Sequence, residues 1–160
     1  MAIQVGDPIP NVTLMKAGSD GPEPVDTESF FSGRKVAVFS VPGAFTPTCS
    51  ARHLPGFVEK ADELRAKGVD EVACVSVNDA FVMGAWGQQA GAEGKVTMLA
   101  DGNGEFAQAI GLTMDGTKFG MGTRGQRWSA IVDDGVVKEL NVEEPGAFSV
   151  SSADYMLGQL

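Results

Sequence analysis

Cys49 stands inside "VPGAFTPTCSARHLPGF" (Val41–Phe57) and is one of only two cysteines in 160 residues. Threonine is a good N-cap, and proline is favoured at the first helical position, where its missing N–H is no loss. With Thr46 as cap and Pro47 first, Cys49 falls third in the helix. A sulfur in that turn faces unpaired backbone N–H groups and the positive end of the helix dipole, both of which favour thiolate over thiol. Because the thiolate is the nucleophile, the stretch predicts a reactive cysteine rather than a small buried apolar residue. Pro55 removes a helical N–H soon afterwards and predicts a kink, which would let the first turn loosen independently.

The other chemistry-bearing residues read differently. Cys74 sits among valines in "EVACVSV", where burial raises a thiol's pKa, so it reads as structural, with partnership to Cys49 as the alternative. His53, the only histidine, follows Cys49 by four residues and so shares its helical face. That spacing admits a cysteine hydrolase, but Pro55 disturbs the helix and no third group is placed to orient the ring. His53 is therefore read as a helix-face residue that touches the pocket. "CSAR" has Arg52 where a dithiol oxidoreductase carries its second cysteine. Two scattered cysteines and one histidine make no zinc site, and no metal or cofactor is expected. Trp86 and the methionines read as core, and Glu143–Glu144 as a solvated loop.

The elements that must position Cys49 follow from apolar runs. "KVAVFSV" (Lys35–Val41) and "EVACVSV" (Glu71–Val77) are continuous apolar stretches of the kind found in strands covered on both faces. Between them, Leu54, Phe57, Val58, Ala61 and Leu64 form a helical stripe that stops at Gly68. Asn78 or Asp79 caps a second helix, expected to turn Phe81, Val82, Ala85 and Trp86 inward. "KVTMLA" (Lys95–Ala100) is a third strand, Glu105–Ile110 a short helix ending at Gly111, and Trp128–Leu140 a hairpin about "DDG". "SSADYMLGQL" is a capped terminal helix, and Lys16–Asp26 reads as a loop between an N-terminal hairpin and the body. This order predicts a single α/β domain over 1–160, a mixed sheet sandwiched by helices with right-handed parallel crossovers, as in the thioredoxin-like fold.

With 43% hydrophobic and 21% charged residues, the composition is that of an ordinary globular protein. A net charge of -9 opposes binding to nucleic acid or anionic membranes. "MAIQVGDPIPNV" has neither a basic start nor an apolar core, so no secretory signal is read. Two cysteines make no disulfide framework, and a reducing, cytoplasmic home is expected.

The segment resembles the active-site signature P-x-x-x-T-x-x-C of peroxiredoxins, here Pro42, Thr46 and Cys49. The longer "PGAFTPTCS", "HLPGF", "SVNDAFVMGAWG" and "NVEEPGAFSVSSAD" are similar to the type II, or peroxiredoxin 5, branch. The resemblance implies a thiol-dependent peroxidase reducing hydrogen peroxide and alkyl hydroperoxides. Cys49 would be the peroxidatic nucleophile, passing to a sulfenic acid. Thr46 would hydrogen-bond thiolate and peroxide, Pro42 would shield the sulfur, and a distant arginine, matched here to Arg124 with Arg127 second, would stabilise developing charge. Where many relatives carry a resolving cysteine, this chain has Ser149, Ser151 and Ser152. The resemblance then implies a one-cysteine mechanism re-reduced by glutaredoxin and glutathione, or by thioredoxin, with a Cys49–Cys74 disulfide as the alternative. It also implies a homodimer, with Phe119 and Met121 of "MDGTKFGMGTRG" at the contact. A non-enzymatic chaperone role would instead survive loss of Cys49.

Overall fold

The computed structural model describes residues 2–18 and 20–160. Nine strands and five helices run in the order β1 (Thr13–Gly18), β2 (Gly21–Asp26), α1 (Thr27–Phe31), β3 (Lys35–Ser40), α2 (Leu54–Ala66), β4 (Glu71–Ser76), α3 (Ala80–Gln89), β5 (Thr97–Ala100), α4 (Glu105–Ile110), β6 (Thr113–Asp115), β7 (Thr123–Gly125), β8 (Trp128–Asp133), β9 (Val136–Val142) and α5 (Ala153–Leu157). Seven of the strands form one sheet in the order β2-β1-β5-β4-β3-β8-β9, and β6 pairs with β7 apart from it. Strands β3, β4 and β5 are parallel, while β1 and β8 flank them antiparallel. The expected mixed α/β sheet is present.

Alternation along the central strands divides the core. Ala37 and Phe39 of β3, Val72 and Cys74 of β4, and Ile131 of β8 face α2, α3 and α5. Val36, Val38, Ala73, Val75, Ala130 and Val132 face the other way, onto Phe30 and Phe31 of α1 and Phe106 and Ile110 of α4. Both faces are covered, which is why these strands read as unbroken apolar runs. Phe57 of α2 stacks on Phe39 with centroids 4.1 Å apart and planes 8° from parallel. Truncating a ring buried this way costs about 3–5 kcal/mol. The late hairpin turns at Asp134 and Gly135, with φ of 49° and 77°. A two-residue turn with both φ values positive matches the twist of the strands it joins.

Two expectations are corrected. Lys16–Asp26 is not a loop: it holds the end of β1 and all of β2, paired from Thr13↔Asp26 to Gly18↔Gly21, with Ser19 outside the described residues. Prolines 22 and 24 masked the strand, but β2 lies at the sheet edge, where missing donors are tolerated. In α3 the inward residues are Ala80, Met83, Trp86 and Gly87, whereas Phe81 is 75% exposed and Ala85 also faces outward. "AFVMGAWG" is apolar all round, so its pattern leaves the helix phase open. The cap sets the start of the helix: Asp79 accepts from the Val82 N–H at 2.9 Å.

Candidate active site

The cysteine loop leaves the end of β3 and is tied to the end of β4. Asn78 Oδ1 accepts from the Ala44 N–H at 2.9 Å and from Ser76 Oγ at 2.7 Å. Ser76 Oγ also lies 3.0 Å from the Val41 carbonyl. Phe45 has a φ of 64°, left-handed backbone on a bulky residue two positions beyond Gly43. Strain of this kind costs about 1–3 kcal/mol and persists only where surroundings enforce it. Thr46 Oγ1 donates to the Gly43 carbonyl at 2.7 Å. With its proton committed there, the oxygen offers lone pairs to whatever lies above the loop. It does not cap Cys49 as the sequence reading allowed. Pro42 is half-buried at the start of the loop.

Helical backbone begins at Pro47, as the Thr-Pro pair predicts, and Cys49 is the third residue in it. The expected disturbance at Pro55 takes the form of a wide turn. Cys49–His53 wind as a π-helix, and the Leu54 N–H reaches back to the Cys49 carbonyl before α2 continues. A proline cannot donate to the carbonyl four residues back and its ring crowds it, so the widened turn absorbs the mismatch.

Cys49 is fully buried, and the donor on its sulfur is Arg127: Nη2 lies 3.0 Å from Sγ. The expectation that Arg124 takes this place is corrected. Arg124 gives Nε to the Met121 carbonyl at 2.8 Å and Nη1 to the Val77 carbonyl at 3.0 Å. Strand parity explains the difference. Ile131 lies on the sheet face that packs with Cys49, so stepping back by twos through Ser129 gives Arg127, one residue before β8, the same parity, while Arg124 lies in β7, in the separate two-stranded sheet.

Arg127 is itself held by His53, whose Nδ1 lies 2.8 Å from Arg127 Nη1. A guanidinium can only donate, so Nδ1 accepts and the ring proton sits on Nε2, which donates to the Ser151 carbonyl at 2.9 Å. His53 is packed against Phe39 and Phe148, with centroids 4.7 and 5.0 Å away. Burial, and then the Arg127 charge, push its pKa down to about 3. The ring is neutral with both nitrogens engaged, so it has no lone pair for Cys49, and the hydrolase reading fails.

Glu143 is a residue the sequence reading misplaced. It is buried rather than solvated, and its Oε2 accepts the N–H groups of Ser149, Val150 and Ser151 at 2.7–2.9 Å and Ser151 Oγ at 2.7 Å. Burial alone would raise its pKa, but these donors outweigh it and hold the carboxyl below its usual range. Its partners lie six to eight positions downstream, beyond any local pattern. Cys74 is buried on the same face, and its thiol is pushed well up by burial and then by the neighbouring Cys49, against the smaller opposing pull of Arg127.

The neutral His53 makes a stability prediction. Its folded pKa of about 3 lies below the ordinary 6.5, so the unfolded chain binds the proton first. Stability should fall as pH drops below 6.5, by up to about 1.4 kcal/mol per pH unit from this group. Asp101, raised by burial, contributes with the opposite sign. Urea midpoints of the parent and His53→Gln should therefore converge on acidification. A constant gap from about pH 7 to pH 4 would contradict it.

The chain matches known proteins over nearly its whole length. The Redoxin family description fits residues 4–157. Peroxiredoxin-2E, chloroplastic, of Arabidopsis thaliana is 50% identical over 99% of this chain and 70% of its own length. Peroxiredoxin-2B of the same plant is 47% identical over 99% and 98%. The crystal structure of reduced Prx3 in complex with hydrogen peroxide from Vibrio vulnificus superposes with a TM-score of 0.94 at 51% identity, covering 98% of each chain. These matches, on a mixed sheet of this order, place the chain in the redoxin family as a peroxiredoxin. Its chemistry is that of a thiol peroxidase, which takes a hydroperoxide and is restored by a thiol.

Proposed function

We propose that Cys49 is the peroxidatic residue and that the enzyme works by a one-cysteine mechanism with an external thiol. The Arg127 Nη2–Cys49 Sγ contact carries this reading, because it sets a guanidinium donor against the sulfur that would attack the peroxide. The thiolate attacks the hydroxyl oxygen of ROOH. An S–O bond forms, the O–O bond breaks, and RO⁻ leaves to take up a proton as ROH. Cys49 is left as sulfenic acid. Arg127 faces the charge moving onto the leaving oxygen, and Thr46 Oγ1 accepts from the peroxide hydroxyl, its own proton being held by Gly43. Pro42 closes the loop over the sulfur.

Two external thiols then restore Cys49, releasing water and a disulfide. The state of Cys74 favours this route over an internal disulfide: a thiol held protonated in the sheet is a poor nucleophile. We read glutathione with glutaredoxin as the reductant, thioredoxin being the second choice, and a reducing compartment such as the cytoplasm as its setting. Oxidising the protein with one equivalent of peroxide and following recovery of the Cys49 thiol tests this. Glutathione with glutaredoxin should restore it faster than thioredoxin with its reductase; the reverse order would reassign the reductant.

A homodimer fits the same reading. Phe119 is 77% exposed in the short helical turn Thr117–Phe119. The same excursion reaches the cysteine loop, since a Cβ on Gly43 would lie 3.2 Å from Met121 Cε. Phe119→Glu should roughly halve the sedimenting mass at micromolar concentration, as expected when a charge replaces an apolar anchor. An unchanged mass would move the contact elsewhere.

A further inference from the structure

The Arg127 guanidinium is oriented from behind, by His53 at the far end of the Cys49 turn and by groups beyond β9 that hold His53 in place. Nη2 lies 3.0 Å from Sγ while Nη1 of the same planar fork is held on His53 Nδ1 at 2.8 Å. The ring cannot turn, since Nε2 is fixed on the Ser151 carbonyl at 2.9 Å. That carbonyl belongs to the Ser149–Ser151 segment, which is gathered around the Glu143 carboxylate. Glu143 in turn follows β9, and its N–H donates to the Arg127 carbonyl at 3.0 Å, which closes the ring of contacts. Every buried side-chain polar atom among the described residues is paired, so no spare partner waits to replace one that is lost.

We infer that His53 is a positioning residue for peroxide reduction, an acceptor of fixed tautomer that aims Arg127 at Cys49, with Glu143 and Ser151 setting the tautomer from behind. The inference rests on Cys49 being the peroxidatic residue. Neutrality is essential to the task. A protonated ring would present a second donor to Nη1, and burial together with the Arg127 charge keeps it unprotonated. Displacing a group that faces the reacting atoms by about 1 Å can cost a hundredfold in rate.

Two substitutions separate aiming from mere tethering. Asparagine can place a carbonyl oxygen where Nδ1 lies, and glutamine can place an N–H where Nε2 lies. In stopped-flow oxidation by hydrogen peroxide, His53→Gln should lower the second-order rate constant about ten- to hundredfold, while His53→Asn should recover most of that loss. The reverse order would show a tether to Ser151 and overturn the inference, as would two variants that react like the parent. Failure of the parent itself to react would sink the peroxidatic reading instead. Should neither variant fold, imidazole 15N shifts of the reduced parent decide: a proton on Nε2 alone from about pH 5 to 8 is expected. A proton on Nδ1 in that range would overturn the proposal.

Discussion

Cys49→Ser should abolish peroxide reduction, leaving only the uncatalysed rate, while Cys74→Ser should keep it within a few-fold of the parent. The two thiols lie on the same face of the same sheet and are both buried, so burial does not separate them. Their surroundings do. Cys49 opens a helix and holds the Nη2 donor of Arg127 at 3.0 Å, whereas Cys74 lies within β4 with its thiol pushed well up. A serine hydroxyl in the Cys49 position stays protonated near neutral pH and is a weak nucleophile toward an O–O bond. Steady-state consumption of hydrogen peroxide with an external thiol checks both variants. Activity surviving Cys49→Ser would favour a non-enzymatic or different role for the chain, and loss with Cys74→Ser would bring Cys74 into the cycle.

Removing the Arg127 charge has the next largest expected effect. Arg127→Met should reduce the second-order rate constant with peroxide about 10²–10³-fold, the range typical for losing one preorganised donor at a site of developing charge. Arg124→Met should do less to the chemistry and more to the local fold. The Arg124 donors hold the Met121 and Val77 carbonyls, so its loss frees the 113–125 excursion from the end of β4. Lysine is a poor substitute at position 127, because one nitrogen would have to serve both His53 and Cys49, which the planar fork reaches with two nitrogens in fixed geometry. Rapid-mixing kinetics on both variants, with Tm read alongside, distinguishes the two. Equal losses at 124 and 127 would mean that both arginines face the sulfur during turnover.

The core strands were legible because both their faces are buried and each reads as a short apolar run between polar breaks. The helix start at Pro47 was legible because its signals are local and chemical: a capping threonine, a proline with no N–H, a cysteine two residues on. What escaped depends on contacts distant in sequence. Nothing near Glu143 announces that three backbone N–H groups will fold back onto it. Trp86, read as core, is buried, but its indole N–H also donates to Ser50 Oγ at 3.0 Å, a link between α3 and the cysteine turn that no period in either segment contains. His53 was noted for its nearness to Cys49 along one helical face. The wide turn and the approach of Arg127 make it instead a neighbour of the arginine. The choice between Arg124 and Arg127 was open to parity counting from Ile131, once the hairpin register was known.

The most direct test of the account is the intact mass of the reduced protein after one equivalent of hydrogen peroxide, measured in parallel on Cys74→Ser. The account predicts the gain of one oxygen, located on Cys49, in both proteins. Loss of two hydrogens in the parent alone would show a Cys49–Cys74 disulfide and contradict the one-cysteine mechanism. No mass change in either, with the thiols still free, would contradict the assignment of Cys49 as the peroxidatic residue.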